Sequence, residues 1–90
     1  MVSTDSTPEL NPLFRLQYEQ AQSCYVLLYP EGMVKLNQSA AEILKQVNGV
    51  DSVSLIHQKL TAQFPEAGDI LSDIKEFLAI AYDKKWIRYV

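Results

Sequence analysis

Few side chains here are equipped for covalent or metal chemistry, because one cysteine, Cys24, and one histidine, His57, stand among 90 residues. A nucleophile needs a base within hydrogen-bond reach, and a metal needs several converging ligands. Cys24 opens an apolar run, where a thiol reads as an inert buried group, and with no second cysteine it forms no intramolecular disulfide. His57 stands alone on a segment of helical periodicity and reads as a boundary residue of that helix. Three glycines supply no G-x-G-x-x-G pattern or phosphate loop. Catalysis, a metal site and a bound cofactor are therefore not expected.

The chemistry that remains belongs to the backbone. Val26-Leu27-Leu28-Tyr29-Pro30-Glu31-Gly32-Met33-Val34-Lys35-Leu36-Asn37, followed at once by Ser39-Ala40-Ala41-Glu42-Ile43-Leu44, encodes a strand, a tight turn, a second strand and a helix start. A strand that runs straight into a helix leaves N–H and C=O groups unpaired along one flank unless something covers it. Such an edge is either protected by its shortness and by Lys35, or is a docking site for another chain.

The elements around it follow from periodicity and breakers. Residues 1–12, polar and interrupted by Pro8 and Pro12, read as a flexible N-terminal tail. Residues 13–90 form a single domain, since a chain this short cannot divide its burial between two cores. Phe14, Leu16 and Tyr18 alternate with Arg15 and Gln17 as a first strand, residues 24–29 form a central strand, and residues 33–36 form a third. Helix one is expected to start at Ser39, with Ser39 and Glu42 as a capping box, and to end at Asn48-Gly49. Asp51 or Ser52 caps helix two, whose apolar positions Val53, Ile56, Leu60 and Phe64 continue until Pro65. Helix three is expected from about residue 66 to residue 82, followed by an apolar terminus at Trp86-Ile87 that packs back on the sheet or the last helix.

The net charge of −3 and pI near 4.9 give no footprint for nucleic acid or an anionic membrane. Two helices joined by a short turn and followed by a third also resemble a helix-turn-helix. The acids Glu66, Asp69, Asp73 and Glu76 against the single base Lys75 would repel the phosphates such a helix must approach. A winged-helix DNA-binding or transcription-associated module is thus the alternative reading. The acidic stripe itself is either a solvated face or a rim that steers a basic peptide. No stretch is long and apolar enough to span a membrane and the first residues lack a signal-peptide pattern, so a cytoplasmic protein is expected, and Asn37-Gln38-Ser39 reads as a helix entry rather than a glycosylation site.

The block V-L-L-Y-P-E-G-M-V-K-L-N-Q-S-A-A-E-I-L at residues 26–44 resembles the signature of the PqqD family, the peptide chaperones of pyrroloquinoline quinone (PQQ) biosynthesis, a RiPP recognition element family. Arg15-Leu16, Asn48-Gly49 where that family commonly has Asp-Gly, Asp73-x-x-x-Phe77-Leu78 and Trp86-Ile87 fall in the same order and spacing, so the resemblance covers roughly residues 13–88. It implies an α+β fold of winged-helix type, a three-stranded antiparallel sheet followed by three helices. It also implies a non-enzymatic carrier that binds a ribosomally made precursor peptide and presents it to a radical SAM enzyme for Glu–Tyr cross-linking. The peptide would add as a strand along Gly32, Met33, Val34, Lys35, Leu36 and Asn37 and lie against Asp73, Glu76, Phe77 and Ile80. By helical angle alone, Phe77 falls on the core side. A protein that holds the finished quinone would need converging cations, whereas Arg15, Lys35, Lys45, Lys59 and Lys75 are scattered. The open edge and the N-terminal segment also leave strand exchange between two copies as a route to a homodimer.

Overall fold

The computed structural model describes residues 3–90. The first two residues of the expected tail lie outside the described residues. A three-stranded antiparallel sheet is built from β2 (Arg15–Glu19), β3 (Cys24–Tyr29) and β4 (Gly32–Lys35) in the order β2-β3-β4. β1 (Pro8–Leu10) instead pairs with β5 (Ile87–Tyr89) in a separate two-stranded ribbon. The helices are α1 (Gln38–Lys45), α2 (Val53–Gln63) and α3 (Leu71–Asp83), with one 3₁₀ turn at Pro65–Ala67. Three antiparallel strands followed by three helices is the architecture expected, and the ribbon is added to it.

The sheet has one core face. Tyr18, Leu16, Tyr25, Leu27, Val34 and Leu36 share that face by register, and Leu27 and Leu36 join Ile43, Leu44, Ile56, Leu60, Ile74 and Leu78 in a continuous buried cluster. On the other face Val26 is also fully buried, but between its ladder partners Gln17 and Lys35 rather than within that cluster. The stems of such long polar side chains cover apolar neighbours while their ends stay in water.

Several boundaries differ from the sequence-based expectation, each for a local reason. The segment expected to be a free tail includes β1, whose Pro8 is buried, so the tail assignment fails at residues 8–10. Helix one starts earlier than Ser39. Leu36 still donates to Tyr25 O (3.0 Å), which leaves Asn37 at the bend, where its Oδ1 accepts from Ala40 N (2.8 Å) and caps the helix. Glu42 accordingly pairs with Lys45 (3.0 Å) instead of closing a capping box. Gly49 does not cap α1, which ends at Lys45 with Gln46 as its cap. Its φ is +76°, a left-handed conformation that favours glycine, and the Glu9 carboxylate occupies the space beside it, with Oε2 2.7 Å from where a Cβ would sit. Ser52 caps α2 by accepting from Leu55 N (3.2 Å). Gly68, at φ +74°, separates the 3₁₀ turn from α3, so the last helix begins at Leu71 and not at residue 66.

Candidate functional site

β4 is the end strand of its sheet, and among the described residues no strand pairs with its outer flank. The bond from Leu36 N to Tyr25 O sets the alternation: Gly32, Val34 and Leu36 turn their backbone groups toward β3, and Met33 and Lys35 turn theirs away from the sheet. Two residues therefore offer outward N–H and C=O groups on one flank.

Facing that flank is a cleft of about 400 Å³. One wall is the end of β4 and the first turns of α1, through Lys35, Leu36, Asn37, Ser39, Ala40 and Ile43. The opposite wall is α3, through Asp73, Glu76, Phe77 and Ile80, and Trp86 also lines it. Of the ten residues expected at the site, the structure brings Lys35, Leu36, Asn37, Asp73, Glu76, Phe77 and Ile80 together in this cleft. Gly32, Met33 and Val34 lie along the same strand but do not line it. Phe77 is half-buried against the core and also lines the cleft.

Ser39, Ala40, Ile43 and Trp86 were not expected there. A strand that ends at Lys35 and enters a helix at Gln38 must set that helix's first turn beside its own end, so the α1 residues were signalled by the very short connection. Trp86 is placed by the end of α3. Lys85 N donates to Tyr82 O (3.0 Å) and Trp86 N to Ala81 O (2.9 Å), with Lys85 left-handed at φ +65°. This is a Schellman arrangement with lysine where glycine is usual. The reversal turns the indole back toward Phe77 (ring centroids 6.4 Å apart), with Lys84 Nζ over its face at 5.9 Å.

The cleft has an apolar floor with charge at its rims. Leu36, Ala40 and Ile43 are each less than a tenth exposed, Ile80 is 46% exposed, and the carboxylates of Asp73 and Glu76 stand opposite Lys35. Among the described residues no three His, Cys, Asp or Glu side chains group as metal ligands. Cys24 and His57 are half-buried on different elements, and the nearest acid to His57 is Asp69, 4.0 Å away. Among the described residues no helix is long and apolar enough to cross a membrane.

An open edge strand set across an apolar-floored cleft from a helix characterises this α+β module. The chain belongs to the PqqD family, as the model for Coenzyme PQQ synthesis protein D (PqqD) matches residues 24–87. It is similar to a PqqA binding protein of Azotobacter vinelandii, 54% identical over 80 residues that cover 89% of this chain and 87% of the relative. A PqqA binding protein of Pseudomonas aeruginosa is 54% identical over 85 residues, covering 94% and 92%. Among solved structures, the solution structure of the PqqD truncation of Methylobacterium extorquens PqqCD, described as a stand-alone RiPP recognition element, is 31% identical with a TM-score of 0.79, covering 98% of this chain and 95% of that one. The crystal structure of PqqD from Xanthomonas campestris is 34% identical with a TM-score of 0.57, covering 98% and 99%.

Proposed function

We propose that the chain is a cytoplasmic, non-enzymatic carrier of PQQ biosynthesis. It binds the ribosomally made precursor peptide, the PqqA of its relatives' names, by adding it as a strand to β4, and presents it to the radical SAM enzyme that joins a Glu and a Tyr. The observation that carries this reading is the free flank of β4 opening on the cleft against α3.

The mechanism follows from the geometry. Backbone groups of Met33 and Lys35 pair with the peptide whatever its sequence, each bond contributing about 0.5–1.5 kcal/mol net. Alternate peptide side chains then point to the same side as Val34 and Leu36, into the cleft lined by Phe77 and Ile80, while the others remain in solvent. Asp73 and Glu76 favour a basic residue on that peptide. Ordering a flexible peptide costs on the order of 2–5 kcal/mol, which places the affinity between nanomolar and micromolar.

The nucleic-acid alternative has less support. Of the bases Lys84, Lys85 and Arg88 that follow α3, Arg88 is paired with Glu9 (2.6 Å) and Lys84 lies over Trp86, so two of the three are engaged within the fold.

An NMR titration of the ¹⁵N-labelled chain with the precursor peptide tests the assignment. The Met33 and Lys35 amides and those of α3 between residues 73 and 80 should shift and gain protection from exchange. Shifts confined to α2 would remove β4 as the docking strand.

A further inference from the structure

The cleft does not close beyond Asn37. Ser39 and Ile43 on α1 and Asp73 on α3 line it and also border a second cavity, of about 230 Å³. The interior of this cavity is apolar: Leu60 and Ile74, each 1% exposed, belong to the buried core, and the half-buried Phe64 and Ile70 stand beside them. Ala67, exposed on the 3₁₀ turn, lies at its lip. An apolar cavity of about 150 Å³ accepts a benzene ring. The larger hollow therefore admits one aromatic or branched aliphatic side chain.

Pairing with β4 reads only backbone, so selection among peptides comes from the cleft beside the strand's path and from any pocket that opens off it. The hollow is such a pocket, at the Asn37 end, where the two cavities share three lining residues. Asp73 at the junction makes an acidic side chain the poorest occupant, because a second carboxylate would be desolvated beside it.

We infer that this hollow is an anchor pocket. A peptide added to β4 inserts one large apolar side chain, from just beyond the Asn37 end of the new strand, between α1 and the turn that precedes α3. The inference rests on the strand-addition reading and names one source of its selectivity.

The test uses the full chain labelled at isoleucine methyls and backbone amides, titrated with the precursor peptide and with variants of it in which each aromatic or branched aliphatic residue in turn is alanine. The methyls of Ile70 and Ile74, which line the hollow and not the cleft, should shift together with the Met33 and Lys35 amides. One alanine variant should lose roughly 10- to 100-fold in affinity and, at saturation, keep the amide shifts while losing the methyl shifts. Ala67→Trp, which fills the mouth from an exposed position, should weaken the intact peptide to the level of that variant and weaken the variant no further. Amide shifts without methyl shifts overturn the anchor and leave strand addition standing. No shifts at all overturn both. Methyl shifts without amide shifts overturn strand addition, and the anchor as placed with it. The peptide variants need no protein substitution, so a misfolded Ala67→Trp chain does not rescue the proposal.

Discussion

Asp51 is 7% exposed at the entrance to α2, a position where sequence allowed it to be the helix cap. Ser52 takes that role, and the carboxylate instead accepts from Lys59 Nζ and from Asn48 Nδ2 (3.0 Å). The Lys59 bond first, and the Asn48 bond second, hold its pKa below the ordinary 3.8 against the opposing effect of burial. Asn48 thus has a physical role: an Asp there could not donate this bond and would face Asp51 with a second negative charge. A carboxyl with a depressed pKa stabilises the fold fully above its unfolded value and loses that contribution as pH falls through the folded one. Between about pH 6 and about pH 3, the urea midpoint of the parent chain should therefore drop further than that of Asp51→Asn, which starts lower. Equal drops in the two proteins would show that Asp51 is not the linked group.

At the level of elements, β4 has two kinds of position, and proline separates them. Leu36 donates into the sheet and its side chain is buried, so Leu36→Pro should cost on the order of 3 kcal/mol of stability and obscure any binding measurement. Lys35 points its N–H outward, and an edge strand tolerates proline there. Lys35→Pro should melt within a few degrees of the parent yet bind the precursor peptide at least roughly tenfold more weakly, as seen by calorimetry. Unchanged affinity would mean that the peptide does not use this flank. Much of this element was legible because Pro30-Glu31-Gly32 between two apolar runs specifies a hairpin directly, and the alternation after it assigns the faces. The start of α3 was not, since its apolar residues continue the 3.6-residue pattern backwards through Ile70 and the pattern alone does not register the break at Gly68. The ribbon of β1 and β5 was less legible still. Three residues hold no period, and the partners Glu9 and Arg88 are 79 positions apart, so nothing local pairs them. The cleft inherits both effects: Lys35, Leu36 and Asn37 were implied by the family resemblance and the α1 residues by the short connection after β4, whereas Trp86 enters it only through tertiary placement.

For the whole molecule, the N-terminal segment behaves as a strap across the helical side. Thr4 O and Ser6 O accept from Ser54 N and Val53 N (both 2.9 Å), satisfying two of the donors that the first turn of α2 cannot pair internally. Pro8 O accepts from Gly49 N and Thr7 O from Val90 N (both 3.0 Å), so the same stretch ties the α1–α2 loop to the C-terminus. β1 covers β5 besides, and Ile87, the first residue of β5, is only 2% exposed and packs in the core beside Leu78 and Ala81. None of residues 3–10 lines the β4–α3 cleft. Stability and peptide docking should therefore separate. A chain beginning at Asn11 loses these four bonds at about 1 kcal/mol each, together with the β1–β5 ladder, the Glu9–Arg88 ion pair and the burial of Pro8, and its melting temperature should fall by at least roughly 15–30 °C. Below that lowered transition, its affinity for the precursor peptide should match the full chain within about twofold, because the retained Asn11 N still donates to Trp86 O (2.9 Å) and its Nδ2 to Lys85 O (2.9 Å), holding the turn that positions the indole. Thermal denaturation and calorimetry on the same truncated protein decide the matter. A melting point within a few degrees of the parent would refute the strap, and a large loss of affinity in the still-folded protein would mean that the N-terminal strand belongs to the docking surface.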